Sequence, residues 1–513
     1  MPFLSRASIG ALAVITIAVV TFILSIQDNE RISLGLKTAI ESNSNFTAEF
    51  TEPFKWSFSP APTLQISDFA LHDKQTKVSI AQLELQLNWS ALWTDPSRWQ
   101  IKNLDVTQAA IRRGSRQADI GQLTVSDFAV GHPSSFFLAA SVTTTAGAPP
   151  INSLVEGQFI VGHQTKNNNH SIKFTQLTLH GPTAEGKCKG EIHRLTPTNH
   201  QAAATNNVDQ GATILLPLNA LRPYDFQLNC LLKHIRWGGE SVGVTSLELE
   251  KAAGQIAARI DAQEFLEGTF SAVVNIDTQR QPLHWHITPR LEDINSERLV
   301  AYSGQGLTWA STLGADSTIT LSGNSREALL ASLSAKTQFN SGRGKLSIAK
   351  IKQQLEQISL LNGQAQTITK WPEPWTYAWL GGQWTIDGTR HQLKLTIDNV
   401  SLDASGTYSD TTKTFDLLGN ITFKDPVQDN GLKINRLLMG IPLPFQCKGT
   451  VFESACEFDS KGAKKLLANA LRQGDDSALR QKLETKINEN VPEAYRETAR
   501  GILDLLGRAL END

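Results

Sequence analysis

The side chains able to do chemistry are few and poorly assembled. Ser347 and Lys350 form an S-x-x-K pair, the spacing at which a lysine can serve a nucleophilic serine. The segment reads as a strand, however, and the companion motifs of such enzymes are absent, so coincidence is the better reading. His284 and His286 flank Trp285 in HWHI. Period two puts both on one strand face, which could begin a metal site, but no carboxylate or thiol completes it, and a solvent-facing pair is expected. Asp68, Asp127 and Asp398 recur in the dipeptides SD, SD and DN between apolar pairs, where bends and turns prefer Asp and Asn. Cys447 and Cys456 bracket KGTVFESA and could close a hairpin, leaving Cys188 and Cys230. Three pairings stay open. No C-x-x-C occurs and no His stands at ligand spacing near Cys447, which disfavours zinc. Trp371, Trp375, Trp379 and Trp384 crowd WPEPWTYAWLGGQW. Packing or an interfacial belt is expected there, ahead of a carbohydrate-stacking platform, which needs more polar partners. G-x-S-x-G, Walker A, H-E-x-x-H and G-x-G-x-x-G are all missing. The expectation is no catalytic residue, no metal and no cofactor: not an enzyme.

Composition points the same way. The 513 residues are 40 % hydrophobic and 19 % charged, with 48 basic and 50 acidic residues giving a net charge of -2. That supports a large core and excludes global disorder. Low charge, with Ser, Thr, Gln and Asn in its place, suits strands with one wet face. A nearly neutral chain without a dense Lys/Arg block argues against a nucleic-acid partner.

Residues 9–26, IGALAVITIAVVTFILSI, carry no charge. At about 1.5 Å per residue the run just crosses a hydrocarbon core. Arg6 precedes it, and Asp28, Glu30 and Arg31 follow, which predicts a cytoplasmic amino terminus and an exported remainder. The run exceeds the roughly 7–15 residues of a signal-peptide core, so a retained anchor is expected over a cleaved one. Export places the cysteines where disulfides persist.

From about residue 60 to 460 the apolar residues alternate. A two-three-two spacing repeats at Leu64, Ile66, Phe69 and Leu71; at Val78, Ile80, Leu83 and Leu85; and at Trp99, Ile101, Leu104 and Val106. It recurs at Leu123, Val125, Phe128 and Val130; at Ile172, Phe174, Leu177 and Leu179; and at Leu395, Ile397, Val400 and Leu402. Period two means strand with one apolar face. The three-residue step would turn the second pair to the other face unless a bulge or bend restores it. The predicted unit is a bent strand that keeps one apolar face. Turn signals are HGP near Gly181, GG near Gly238 and Gly381, and SGN near Gly323. Residues 143–150 and 196–211 read as loops, 31–42 as a short amphipathic helix, Glu327–Leu333 as a helix, and 461–510 as amphipathic helix broken at Gly474 and Pro492.

Four segments resemble the AsmA family of envelope proteins: the anchor followed by FKWSFSPAPTLQISDFALHD (54–73), SREALLASLSAKTQFNSGRGKLSI (325–348), LGGQWTIDGTRHQLKLTIDNVSLDASGTYS (380–409), and IPLPFQCKGTVFESACEFD (441–459), which includes Cys447 and Cys456. Their order after an anchor is the stronger signal; residues 131–290 match poorly. The resemblance implies an inner-membrane, single-pass protein with its bulk in the periplasm. It further implies a long β-groove that carries phospholipids and supports outer-membrane biogenesis, with outer-membrane or envelope proteins as partners. The expected fold is mainly β, an elongated, bent antiparallel sheet forming a groove. Residues 1–30 make the transmembrane anchor, 31–460 the groove region with a subdivision near 196–211, and 461–513 the helical tail. The two-three-two residues, from Leu64 to Val130 and from Leu395 to Leu402, would line the groove. A non-carrying scaffold for outer-membrane protein assembly is the alternative.

Overall fold

The computed structural model describes Lys37, Glu41 and the chain from Thr47 to Phe458, except residues 52–53, 74–75, 90–99, 114–115, 144–150, 165–168, 183, 195–214, 217, 238–239, 303–307, 361–367, 410–411, 426–430, 435–438 and 451–453. The predicted anchor, the predicted loop 196–211, residues 144–150 of the other predicted loop and the helical tail lie outside the described residues, as does Trp99; Thr143 ends a strand. Among the described residues no helix is long and apolar enough to cross a membrane.

The protein is mainly β and divides into two compact units. The division runs through residues 265–279; the expected linker at 196–211 is not described.

The first unit is an antiparallel meander. Its strands are β1 (Thr47–Phe50), β2 (Lys55–Ser57), β3 (Thr63–His72), β4 (Thr76–Leu87), β5 (Ile101–Arg113), β6 (Arg116–Phe128), β7 (Pro133–Thr143) and β8 (Ile151–Gln164). They continue with β9 (Asn169–His180), β10 (Glu185–Arg194), β11 (Tyr224–Lys233), a small hairpin of β12 (Ile235–Trp237) and β13 (Glu240–Val242), then β14 (Thr245–Ala252) and β15 (Gln255–Phe265). Helix α1 (Leu218–Leu221) precedes β11. From β3 to β11 each strand pairs with the next, and β14 and β15 extend the series. β1 and β2 share one edge of β3, on either side of Asp68.

The residues of β16 (Gly268–Asp277) divide between the two units. The second unit continues with β17 (His284–Asn295), α2 (Ser296–Tyr302), β18 (Trp309–Ala310), β19 (Thr312–Ser322), α3 (Arg326–Ala331), β20 (Ser334–Ser341), β21 (Gly344–Leu346), α4 (Ala349–Leu360) and β22 (Trp375–Tyr377). It ends with β23 (Leu380–Asp387), β24 (Arg390–Ile397), β25 (Val400–Ser409), β26 (Thr414–Phe423), β27 (Leu443–Thr450) and β28 (Ser454–Phe458). β17, β19, β20 and β23 to β28 form a second antiparallel series, while β18, β21 and β22 make a small sheet of their own. The predicted helix at 327–333 is α3, capped by the Ser325 hydroxyl, which accepts from the Ala328 N–H.

This unit closes over its own apolar face. Ile348 and Leu355 beside and within α4, the segment carrying Trp371, Trp375 and Tyr377, and Leu432 and Ile434 pack on Leu380, Ile397, Ile421, Phe423, Leu443 and Phe445. Buried polar groups in this core are satisfied: Trp371 Nε1 donates to the Lys433 carbonyl at 2.6 Å, and Trp309 Nε1 donates to the Tyr377 hydroxyl at 2.7 Å.

Two sequence expectations are corrected here. Ser347 and Lys350 lie at the start of α4, not in a strand, and the Ser347 hydroxyl donates to the Glu373 carboxylate at 2.6 Å. Gly381 and Gly382 sit inside β23 instead of a turn, because a side chain at 381 would collide with the ring of Trp379, and one at 382 with that of Phe339.

Candidate functional site, an apolar sheet face

The structure shows why the three-residue steps do not spoil the apolar face: neighbouring strands take them together. Ile66 pairs with Leu83, Leu83 with Val106, and Val106 with Leu123. Beyond the step, Phe69 pairs with Ile80, Ile80 with Ala109, and Ala109 with Ile120. Asp68 and Gln108, between these two rows, take left-handed φ of 47° and 54°. A second line of bends runs through Asp127, φ 54°, keeping Leu104 opposite Val125 and Ile101 opposite Phe128. In β9 the step is a bulge. Phe174 and Leu177 face residues only two apart on both β8 and β10, so Thr175 is the extra residue.

The predicted lining residues therefore come together on one face. Leu64, Ile66, Phe69 and Val106 are buried; Leu71, Val78, Ile80, Leu83, Leu85, Ile101, Leu104, Leu123, Val125 and Phe128 are half-buried. The opposite face is polar and hydrogen-bonded across strands. Thr124 Oγ1 donates to Asp105 at 2.7 Å, Ser126 Oγ donates to the Asn103 side-chain carbonyl at 3.0 Å, and Asn103 Nδ2 donates to Asp105.

Five predicted positions fall elsewhere. Val130 lies past the end of β6 in the turn to β7 and is 46 % exposed. Leu395, Ile397, Val400 and Leu402 are not a bent strand. Asp398 and Asn399 form a two-residue hairpin turn with Asp398 at φ 46°, so Ile397 faces Val400 and Leu395 faces Leu402. All four belong to the closed core of the second unit. Asp398 does more than turn the chain. Its carboxylate accepts the N–H groups of Ala378, at 3.1 and 3.0 Å, and of Trp379, at 2.9 Å. Asp398→Ala removes these acceptors and puts strain on a left-handed residue, and should cost about 2–4 kcal/mol of second-unit stability in urea denaturation.

The sequence reading missed β7 and β8, whose plain alternation lacks the two-three-two signature. Phe136 of β7 and Phe159 of β8 join Phe128 and Phe174 in a half-buried aromatic group on the same face, with ring centroids 5.9–6.5 Å apart. Simple period two was the available signal. Lys251 was also missed. It continues the apolar column of Leu247 and Leu249, is 4 % exposed, and its ammonium donates to the Tyr224 carbonyl at 2.5 Å and to Asp225 at 3.1 Å. A buried cation survives there because it is paired and hydrogen-bonded.

Both disulfides are formed, Cys188–Cys230 between β10 and β11, and Cys447–Cys456 between β27 and β28. The cysteines of each pair are directly opposite one another. Cys188 also pairs with Leu177, so the first bridge lies in the apolar face.

At the β3 end Phe54 packs on Leu64, Ile66 and Phe69 in a small core; over β6 to β10 no second layer of described residues covers the face. From β6 to β10 the only fully buried residues among those described are Ser134, Ser171, Thr178 and Cys188. The apolar side chains there keep the intermediate exposure that neighbours on a single sheet layer allow. His284 and His286 are both exposed on β17, and among the described residues no three His, Cys, Asp or Glu side chains group as metal ligands. The comparisons with known proteins return nothing: no family model, no curated protein and no solved structure matches the chain.

Proposed function

We propose that this is an AsmA-like envelope protein that binds glycerophospholipids on the apolar face of its first unit and conducts them between inner and outer membrane. In this reading residues 9–26 anchor the chain in the inner membrane, and the β region stands in the periplasm. The observation that carries it is the apolar face from β6 to β10, which no described residue covers and which is backed by a polar one. An apolar sheet face needs a cover, and acyl chains supply one. Each methylene taken from water is worth about 0.8 kcal/mol. On β6 the apolar band of Ile120, Leu123, Val125 and Phe128, all half-buried, is about 26 Å long at about 3.3 Å per residue, against about 15 Å for one leaflet of the hydrocarbon core. An acyl chain can therefore lie along a strand. Many similar rows in series offer no single deep well, which favours passage over storage, and no bond need be made or broken.

The filled core of the second unit favours the scaffold reading for that part of the chain. Lipid mass spectrometry on the full chain, purified in mild detergent, separates the two. Phospholipid in stoichiometric excess over a control membrane protein is the expected result. A folded, lipid-free protein would leave the scaffold.

A further inference from the structure

One end of the first unit carries an aromatic ladder. Trp56 of β2 and Phe58, two residues on, stack with ring centroids 5.9 Å apart and planes 8° from parallel. Trp89, just past the end of β4, continues the ladder at 6.5 Å from Phe58. Trp89 Nε1 donates to the Pro60 carbonyl at 3.3 Å, which holds the indole in place, and the residue is 49 % exposed. Trp56 pairs with Leu64, and its row continues through Leu85, Leu104 and Val125. The ladder therefore begins where the apolar columns end, on their own face. Across 55–57, 63–65, 85–87 and 101–103, the ends of β2 to β5 on this side, the charged residues are Lys55 and Lys102, both exposed, and none is acidic. The other ends of these columns differ. Residues 47–49, 71–73, 76–78 and 111–113 hold Glu49, Asp73, Lys77 and Arg112 among their charges, and no aromatic ring.

The chain that leads in from the amino terminus is long enough to serve the ladder end. Glu41 Oε1 accepts the Ala48 N–H at 3.3 Å, and Ala48 pairs with Leu71, so Glu41 is tied near the His72 end of β3. From there back to residue 26 the chain reaches about 50 Å when extended, at about 3.3 Å per residue. The length of β3 from His72 to Thr63 is about 30 Å. We propose that the Trp56–Phe58–Trp89 ladder seats this end of the first unit in the head-group region of the bilayer that residues 9–26 span. This rests on the anchor in the reading above and adds a membrane contact to it. Indole rings favour the boundary between head groups and acyl chains, where an apolar body and a polar edge are both accommodated. Lys55 and Lys102 add attraction to an anionic bilayer surface. A surface met end-on reaches both faces of a sheet, so these cations need not share a face with the ladder. Seated in this way, the apolar columns open onto the acyl chains, and a lipid passes from bilayer to sheet without crossing water.

The test places the full chain in nanodiscs of plain lipid and of lipid brominated near the head-group end of its acyl chains. Bromine quenches indole emission at contact range, so the difference between wild type and Trp89→Phe isolates Trp89. Trp89→Phe keeps a ring at an exposed position and gives up only the bond to Pro60. The Trp89 emission seen in plain discs should be lost in brominated ones. It should be lost equally in a Val125→Asp background, where a charge in mid-face keeps acyl chains off the sheet, because the bromine then belongs to the bilayer. Quenching that disappears in Val125→Asp assigns the bromine to lipid bound on the sheet and overturns the seat. Emission that is equal in both kinds of disc also overturns the seat and leaves the conduit standing. A chain that does not enter the discs overturns the anchor and the seat with it. Quenching in both backgrounds, with no lipid on the purified protein, supports the seat and overturns the conduit.

Discussion

Val125→Asp should abolish phospholipid carriage while the protein still folds. Val125 sits mid-face, paired with Leu104 on one side and Phe136 on the other, and is half-buried with no covering layer among the described residues. A carboxylate there can keep its water in the empty protein, so folding loses little beyond the packing of one valine. With an acyl chain in place the charge must be desolvated or the chain displaced. Either costs several kcal/mol, which corresponds to a loss of at least about a hundredfold in bound lipid. Gln122→Asp is the matched control, since Gln122 is exposed on the opposite face of the same strand. Head-group counting by mass spectrometry on the two purified variants reads the difference. Equal lipid content in Val125→Asp and wild type would remove this face from the path.

Trp375→Ala should be the most damaging single substitution for stability, at about 3–5 kcal/mol. The indole is 2 % exposed and meets the Tyr377 ring edge-on at 6.2 Å, inside the cluster that closes the second unit. Its removal leaves a large cavity that strands on one side and α4 on the other are too constrained to collapse. Trp379, four residues on, is 50 % exposed, and Trp379→Ala should cost no more than about 1 kcal/mol. Urea midpoints for the pair test the contrast. Similar losses for both would mean that the tryptophan segment does not pack as described. The contrast also bears on the tryptophan cluster as a whole, because Trp371 and Trp375 belong to the core and are not free to stack on a ligand.

Strand identity and facing were legible in the residue order because a sheet imposes a period of two whatever else surrounds it. From Leu64 to Phe128 the apolar positions, the bends at Asp68 and Asp127, and the single apolar face all follow from local spacing and from the tolerance of Asp for left-handed backbone. The same locality explains the failures. Ile397–Asp398–Asn399–Val400 has the spacing of a bent strand and the chemistry of a hairpin turn. Only the pairing of β24 with β25 decides between them. Ser347 and Gly381 were misplaced for the same reason: a helix start held by Glu373 and a glycine paired with Asn340 of β20 are contacts over distances the local pattern does not carry. Phe136 and Phe159 escaped notice because ordinary alternation looks the same in a covered strand and an open one.

The sequence by itself determined the β class, the one-sided strands of the first unit and a cysteine pair able to close a hairpin, since each depends on residues within a few positions of one another. The tertiary structure decided which apolar faces are open and which are filled. That depends on whether something far away in the chain returns to cover a face. In the second unit α4 and the tryptophan segment do so; over β6 to β10 no described residue does.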